Sequence, residues 1–149
     1  AYDYKVKAVF EGGANSGLSA AKSAKAILSA PGITAVSSGY TSIKVSWAKI
    51  DGTSKYEVYR AISKSGKYTK IATTTSLYYN NTKLTTGKTY YYKVRSYRSS
   101  GKIYSSLSSY KYAKPIPSTT TMKASSTGYN SVKISWSKIS GAAKYELYR

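Results

Sequence analysis

The chain has 149 residues, with 24 Lys plus Arg against 5 Asp plus Glu and a net charge of +19. It has no Cys and no His, which excludes disulfides, thiolate metal sites and imidazole chemistry from these residues. Ser, Thr, Gly and Tyr (18) are plentiful, no Leu-rich run is present, and no apolar stretch approaches the ~20 residues of a membrane helix, so strands and turns are favoured over helices and a membrane span is not expected.

The chain opens on an alternation around Tyr4 and Val6, followed by a hairpin loop at 11–17. Leu18 to Leu28 is rich in Ala and Lys and has helical propensity, but its aligned counterpart 107–117 is Ser/Tyr-rich, so both are expected to be strands. After Pro31, an edge strand is expected near Ile33 to Ser37. Ile43, Val45 and Trp47 then alternate with Lys44 and Ser46, the period of two that gives one buried face and one wet face. A turn at 50–53 leads to a strand with Tyr56 and Val58 inward and Glu57 and Tyr59 outward. Shorter strands follow at Tyr68 to Thr73 and Leu77 to Tyr79. A turn at Leu84 to Gly87 precedes the longest strand, Thr89 to Tyr97, where Tyr90, Tyr92 and Val94 share the core face and Tyr91, Lys93 and Arg95 the other. Ser100-Gly101-Lys102 closes a hairpin onto a last strand, Ile103 to Tyr112, and Pro115 and Pro117 follow.

Internal similarity is the strongest signal. Ser38 to Trp47 returns as Thr127 to Trp136, 89 residues later, and Lys55-Tyr56-Glu57-Val58-Tyr59-Arg60 returns at the same spacing as Lys144-Tyr145-Glu146-Leu147-Tyr148-Arg149. Tyr4-Lys5-Val6-Lys7 matches Tyr92-Lys93-Val94-Arg95 at 88, one residue being gained or lost in the hairpin loop. The phase divides the chain into the C-terminal strands of one domain (1–29), a complete domain (30–115) and the N-terminal strands of a third (116–149), with prolines near both junctions. About seven short strands per unit indicate an all-β, two-sheet sandwich.

This pattern resembles the fibronectin type III fold, an immunoglobulin-like sandwich. Trp47 stands at the core tryptophan of the second strand, Tyr56 and Val58 match the alternating pair of the third, and Leu84-Thr85-Thr86-Gly87-Lys88-Thr89-Tyr90 resembles the Leu-x-Pro-Gly-x-x-Tyr signature ending in the tyrosine corner. Thr86 stands where the family usually has Pro. The wording of Gly128 to Trp136, Lys144 to Arg149 and Thr89 to Arg95 is similar, more narrowly, to Tyr- and Lys-rich tandem repeats of Gram-positive, clostridial-type secreted or wall-associated proteins. The resemblance implies an extracellular, cell-wall or cell-surface location and a role as a spacer or accessory binding module, without cofactors.

The expected core is Trp47, Tyr56, Val58, Leu84, Tyr90, Tyr92, Val94 and, in the third unit, Trp136; an exposed indole stacking on sugar is the alternative for the two tryptophans. Tyr59, Tyr79, Tyr91 and Tyr97 fall opposite the core. Beside Lys93, Arg95 and Arg98, the face of Tyr59, Tyr91 and Tyr97 offers stacking and positive charge to a wall polysaccharide or teichoic acid, or else is cross-strand support on a solvated sheet. The scattered charge favours such polyanionic surroundings over a dedicated nucleic-acid reader. Glu57 and Glu146 are equivalent positions in different units, whereas a glycosidase pair needs its carboxyls roughly 5–9.5 Å apart across one cleft. No nucleophile–base set or phosphate loop is present, so no enzyme activity is expected here. The functional expectation is a non-catalytic stalk whose partners are neighbouring repeats; polymer binding is the first alternative and self-assembly into a surface filament the second.

Overall fold

The computed structural model describes residues 2–25 and 27–149; Ala1, at the start of the expected first segment, and Ala26, within the expected strand Leu18 to Leu28, lie outside the described residues. The strands in chain order are β1 (Tyr2–Tyr4), β2 (Lys22–Ala24), β3 (Ile33–Gly39), β4 (Ser42–Trp47), β5 (Lys55–Ala61), β6 (Thr69–Thr74), β7 (Tyr78–Asn81), β8 (Tyr90–Arg98), β9 (Ile103–Tyr104), β10 (Lys111–Ala113), β11 (Met122–Gly128) and β12 (Ser131–Trp136). Two sheets make the central sandwich. One has the order β3-β4-β7; the other has the order β10-β8-β5-β6, with β9 also paired to β8. All pairings are antiparallel.

The alternating residues meet between the sheets. Ile33, Ile43, Val45 and Trp47 from one sheet pack against Tyr56, Val58, Tyr90, Tyr92 and Val94 from the other, with Leu84 closing the end. Each such side chain contributes about 1.5–3 kcal/mol when fully buried. The Trp47 and Tyr56 rings pack at 5.4 Å, tilted by 52°. The buried phenols have partners. Tyr56 Oη accepts from Ile50 N (2.9 Å), and Tyr90 Oη accepts from Thr85 N (3.1 Å), which is the tyrosine corner. Tyr92 Oη donates to Asn81 Oδ1 (3.0 Å), which also accepts from Arg60 Nη1 (3.1 Å). Burial pushes the Tyr92 phenol well up. Burial also acts on Tyr90, but the N–H donated by Thr85, with Lys88 and Arg60 nearby, holds its phenol below the ordinary value.

Three expectations are corrected. Tyr79 lies on the core side, because its register partner on β4 is the inward-facing Val45. The last strand is not continuous from Ile103 to Tyr112; β9 and β10 are separated because serine side chains replace part of the ladder. Val94 N donates to Ser108 Oγ (3.0 Å) while Ser108 N donates to the Val94 carbonyl (2.8 Å), and Ser96 N with Ser105 Oγ (3.0 Å) repeats the arrangement. Trp136 is 41% exposed: Tyr145 covers one side at 5.5 Å, and among the described residues no second sheet faces it.

The sequence repeat has a local structural counterpart. β11 and β12 pair as β3 and β4 do, from Met122↔Trp136 against Ile33↔Trp47, with the same irregularity before the turn. Ile139 N donates to Tyr145 Oη (2.6 Å), the counterpart of Ile50 and Tyr56. At the other end β1 pairs with β2, and the serine arrangement recurs: Ala8 N donates to Ser16 Oγ (2.8 Å) and Val6 N to Ser19 Oγ (3.1 Å). Tyr4 and Val6 are exposed there.

Candidate binding face

Period-two alternation on β5 and β8 sends Glu57 and Tyr59, and Tyr91, Lys93, Arg95 and Tyr97, to the solvent side of the larger sheet. β6 adds Lys70, β9 adds Tyr104 opposite Tyr97, and β10 adds Tyr112 opposite Tyr91. The face has two parts.

The first is organised around Glu57. This carboxylate is only 6% exposed although it lies on the outer side of the sheet. It accepts from Lys70 Nζ (3.0 Å) at Oε1, and at Oε2 from Arg95 Nε (2.7 Å) and Tyr59 Oη (2.8 Å), with Arg95 Nη2 completing the ion pair 2.7 Å from Oε2. Arg95 lies over the Tyr104 ring at 4.2 Å and the Tyr59 ring at 5.4 Å, and Tyr104 packs on Tyr97 at 4.6 Å. Burial works to raise the Glu57 pKa, but the bonds from Lys70, Arg95 and Tyr59 prevail and hold it below the ordinary carboxyl value. Burial and the neighbouring Glu57 carboxylate push the Tyr59 phenol up. With its oxygens already engaged by three donated hydrogen bonds and the ion pair to Arg95, Glu57 is poorly placed to act as a base. It organises the sheet surface.

The second part carries the aromatic rings and uncompensated charge. Lys93 Nζ sits 4.6 Å over the Tyr68 ring and Lys64 Nζ 5.5 Å over Tyr110. Tyr91 packs between Tyr110 (5.8 Å) and Tyr112 (5.6 Å). Four phenol rings and two ammonium groups thus share one surface, and among the described residues no carboxylate is bonded to either lysine. Burial, with Tyr110 and Tyr91 close by, pushes the Tyr68 phenol up.

The structure therefore divides the expected patch. Tyr59, Arg95 and Tyr97 belong to the Glu57 network, and Tyr91 and Lys93 to the aromatic–cationic part. Arg98 belongs to neither and is corrected: it follows Tyr97 by one residue, so the alternation turns it to the other side, where it lines a depression with Ile27, Leu28, Asp51, Gly52 and Ile103. Sequence reasoning missed Tyr68, Lys70, Tyr104, Tyr110 and Tyr112. The signal available was strand register, which places Tyr104 opposite Tyr97 and Tyr112 opposite Tyr91.

Among the described residues no group of three His, Cys, Asp or Glu could hold a metal ion, and no helix is long and apolar enough to cross a membrane.

No family model matches the chain, and no curated protein matches it significantly. Solved structures do. An Fn3-like protein from Clostridium thermocellum is 29% identical over 60% of this chain and 95% of that one, with a TM-score of 0.55. The fold is an Fn3-like two-sheet sandwich. A β-1,2-glucanase from Parabacteroides distasonis is 25% identical over 62% of this chain, which spans only 13% of the enzyme, with a TM-score of 0.52. The Fn3-like domain here has the general architecture of non-catalytic domains of this type.

Proposed function

We propose that this chain is part of a non-catalytic stalk of tandem Fn3-like units in a bacterial extracellular or cell-surface protein. The observation that carries this reading is the recurrence, 89 residues on, of one hairpin register, one tyrosine–backbone bond and one Trp–Tyr packing geometry. Units of one design joined by short proline-marked segments supply reach. The junctions are also tied down. Gly87 N donates to the Pro115 carbonyl (2.9 Å), Ile116 N to Ser37 Oγ (3.0 Å), and Ser96 Oγ to the Ser29 carbonyl (2.6 Å). The charge of +19 suits a surface rich in anionic polymer. Small-angle scattering on this chain and on versions extended by one and two further 89-residue units tests the proposal. The maximum dimension should grow by a constant increment per unit, and a particle that stays compact overturns it.

A second reading, compatible with the first, is favoured by the cluster of Tyr68, Tyr91, Lys93 and Tyr110. Repeated along a stalk, such a face would hold wall glycan or teichoic acid through many weak contacts. Co-sedimentation with purified cell walls, with and without teichoic acid, tests it; retention of the protein in the supernatant at low salt overturns it.

A further inference from the structure

Tyr40 and Tyr129 occupy the same place in the same turn of two hairpins with matching register. Their surroundings differ. Tyr129 is fully exposed, whereas Tyr40 is half-buried. The ring of Tyr40 is covered by Gly141, in the turn between β12 and the segment that follows. A β-carbon at Gly141 would lie 2.8 Å from Cε2 and Cζ and 2.9 Å from Cδ2 of that ring, so the ring would have to shift to admit one. Gly141 also has a φ of +84°, a backbone conformation that favours glycine.

The turn that presents Tyr40 is fixed from behind. Thr86 Oγ1 donates to the Tyr40 carbonyl (2.6 Å), and Leu84 N donates to the Thr41 carbonyl (2.9 Å). Thr86 is the residue that departs from the proline of the Fn3 signature, and a proline there would have no hydroxyl to donate.

Gly52 is the counterpart of Gly141, 89 residues earlier, and its φ is +75°. It lies in a depression of about 210 Å³ lined by Ile27, Leu28, Asp51, Arg98 and Ile103, with Leu28 Cδ2 at 3.8 Å from where a β-carbon would stand. The walls are apolar enough for a phenol ring, and Asp51 and Arg98 on the rim offer its hydroxyl an acceptor and a donor.

We infer that Tyr40 on Gly141 is one instance of a repeating joint. The phenol ring in the first turn of each unit lies flat on the bare glycine of the next unit's second turn and fixes the angle between them. Tyr129 presents the ring half, and the depression at Gly52 the glycine half, each to an adjoining unit of the same sequence pattern. The recurrence rests on the tandem reading above; the Tyr40–Gly141 contact itself does not.

Nuclear magnetic resonance on the 149-residue chain tests the joint. The unmodified chain should show nuclear Overhauser contacts between the Tyr40 ring protons and the Gly141 α-protons, with those α-protons shifted upfield by the ring. Tyr40→Ala should abolish the shift, Tyr40→Phe should keep it, and Tyr129→Ala should leave it unchanged. Absence of the contacts in the unmodified chain, or a shift that survives Tyr40→Ala, overturns the joint. In a chain extended by one unit ahead of residue 1, Gly52 should acquire the same upfield shift, and its failure to do so overturns the recurrence. Elongated scattering without the contacts refutes the joint and leaves the stalk standing; compact scattering refutes the stalk whatever Gly141 shows.

Discussion

Glu57 lies on the outer side of its sheet, where a carboxylate ordinarily meets water, yet Tyr59, Lys70 and Arg95 enclose it. Glu57→Gln keeps the shape but removes the charge that these donors face. The expected loss is about 1–3 kcal/mol in urea unfolding, toward the low end because Lys70 is half-exposed and its pairing is screened. The pH dependence has a definite sign. The folded-state pKa of Glu57 lies below its unfolded value, so its contribution is full above the ordinary carboxyl range and is lost as pH falls through the folded value. Acid titration of stability should show this loss in the wild type, and Glu57→Gln should lack that component. Tyr90→Phe leaves the ring and removes the acceptor for Thr85 N–H. A decrease of about 0.5–1.5 kcal/mol in unfolding free energy is expected, with the core otherwise intact.

At the scale of elements, the serines of the last strand make the clearest prediction. Ser108→Ala removes the acceptor for Val94 N–H, whose residue is fully buried, and should cost about 1–3 kcal/mol, read as a lower denaturation midpoint with an unchanged slope. Much of the element pattern was legible because alternation maps directly onto a two-faced sheet: Ile43, Val45 and Trp47 on β4 and Tyr90, Tyr92 and Val94 on β8 need only a period of two to be placed. The break at 105–110 was not legible, since a serine hydroxyl standing in for a ladder carbonyl leaves no mark on hydrophobic periodicity. Tyr79 was misplaced because a four-residue strand fixes its phase only through its partner β4. Of the candidate face, the alternation found Tyr91, Lys93, Arg95 and Tyr97. The enclosure of Glu57 depends on Arg95, 38 residues away, and so on pairing that no local window contains.

For the whole molecule, the distribution of charge decides how a surface contact would behave. Arg95 and Lys70 are engaged by Glu57, while Lys93 and Lys64 lie over rings and, among the described residues, have no carboxylate partner. Binding to an anionic wall polymer should therefore weaken with Lys93→Ala and with added salt, while Arg98→Ala, on the other side of the sheet, should leave it unchanged. Co-sedimentation across a salt series checks both.

The hydroxyls of Ser105 and Ser108 have a consequence at high density. They satisfy β8 from within, and the segment between β9 and β10 leaves the regular zigzag that a foreign strand would need as a template. At high protein concentration this edge of the sheet should therefore resist pairing with a strand of another chain.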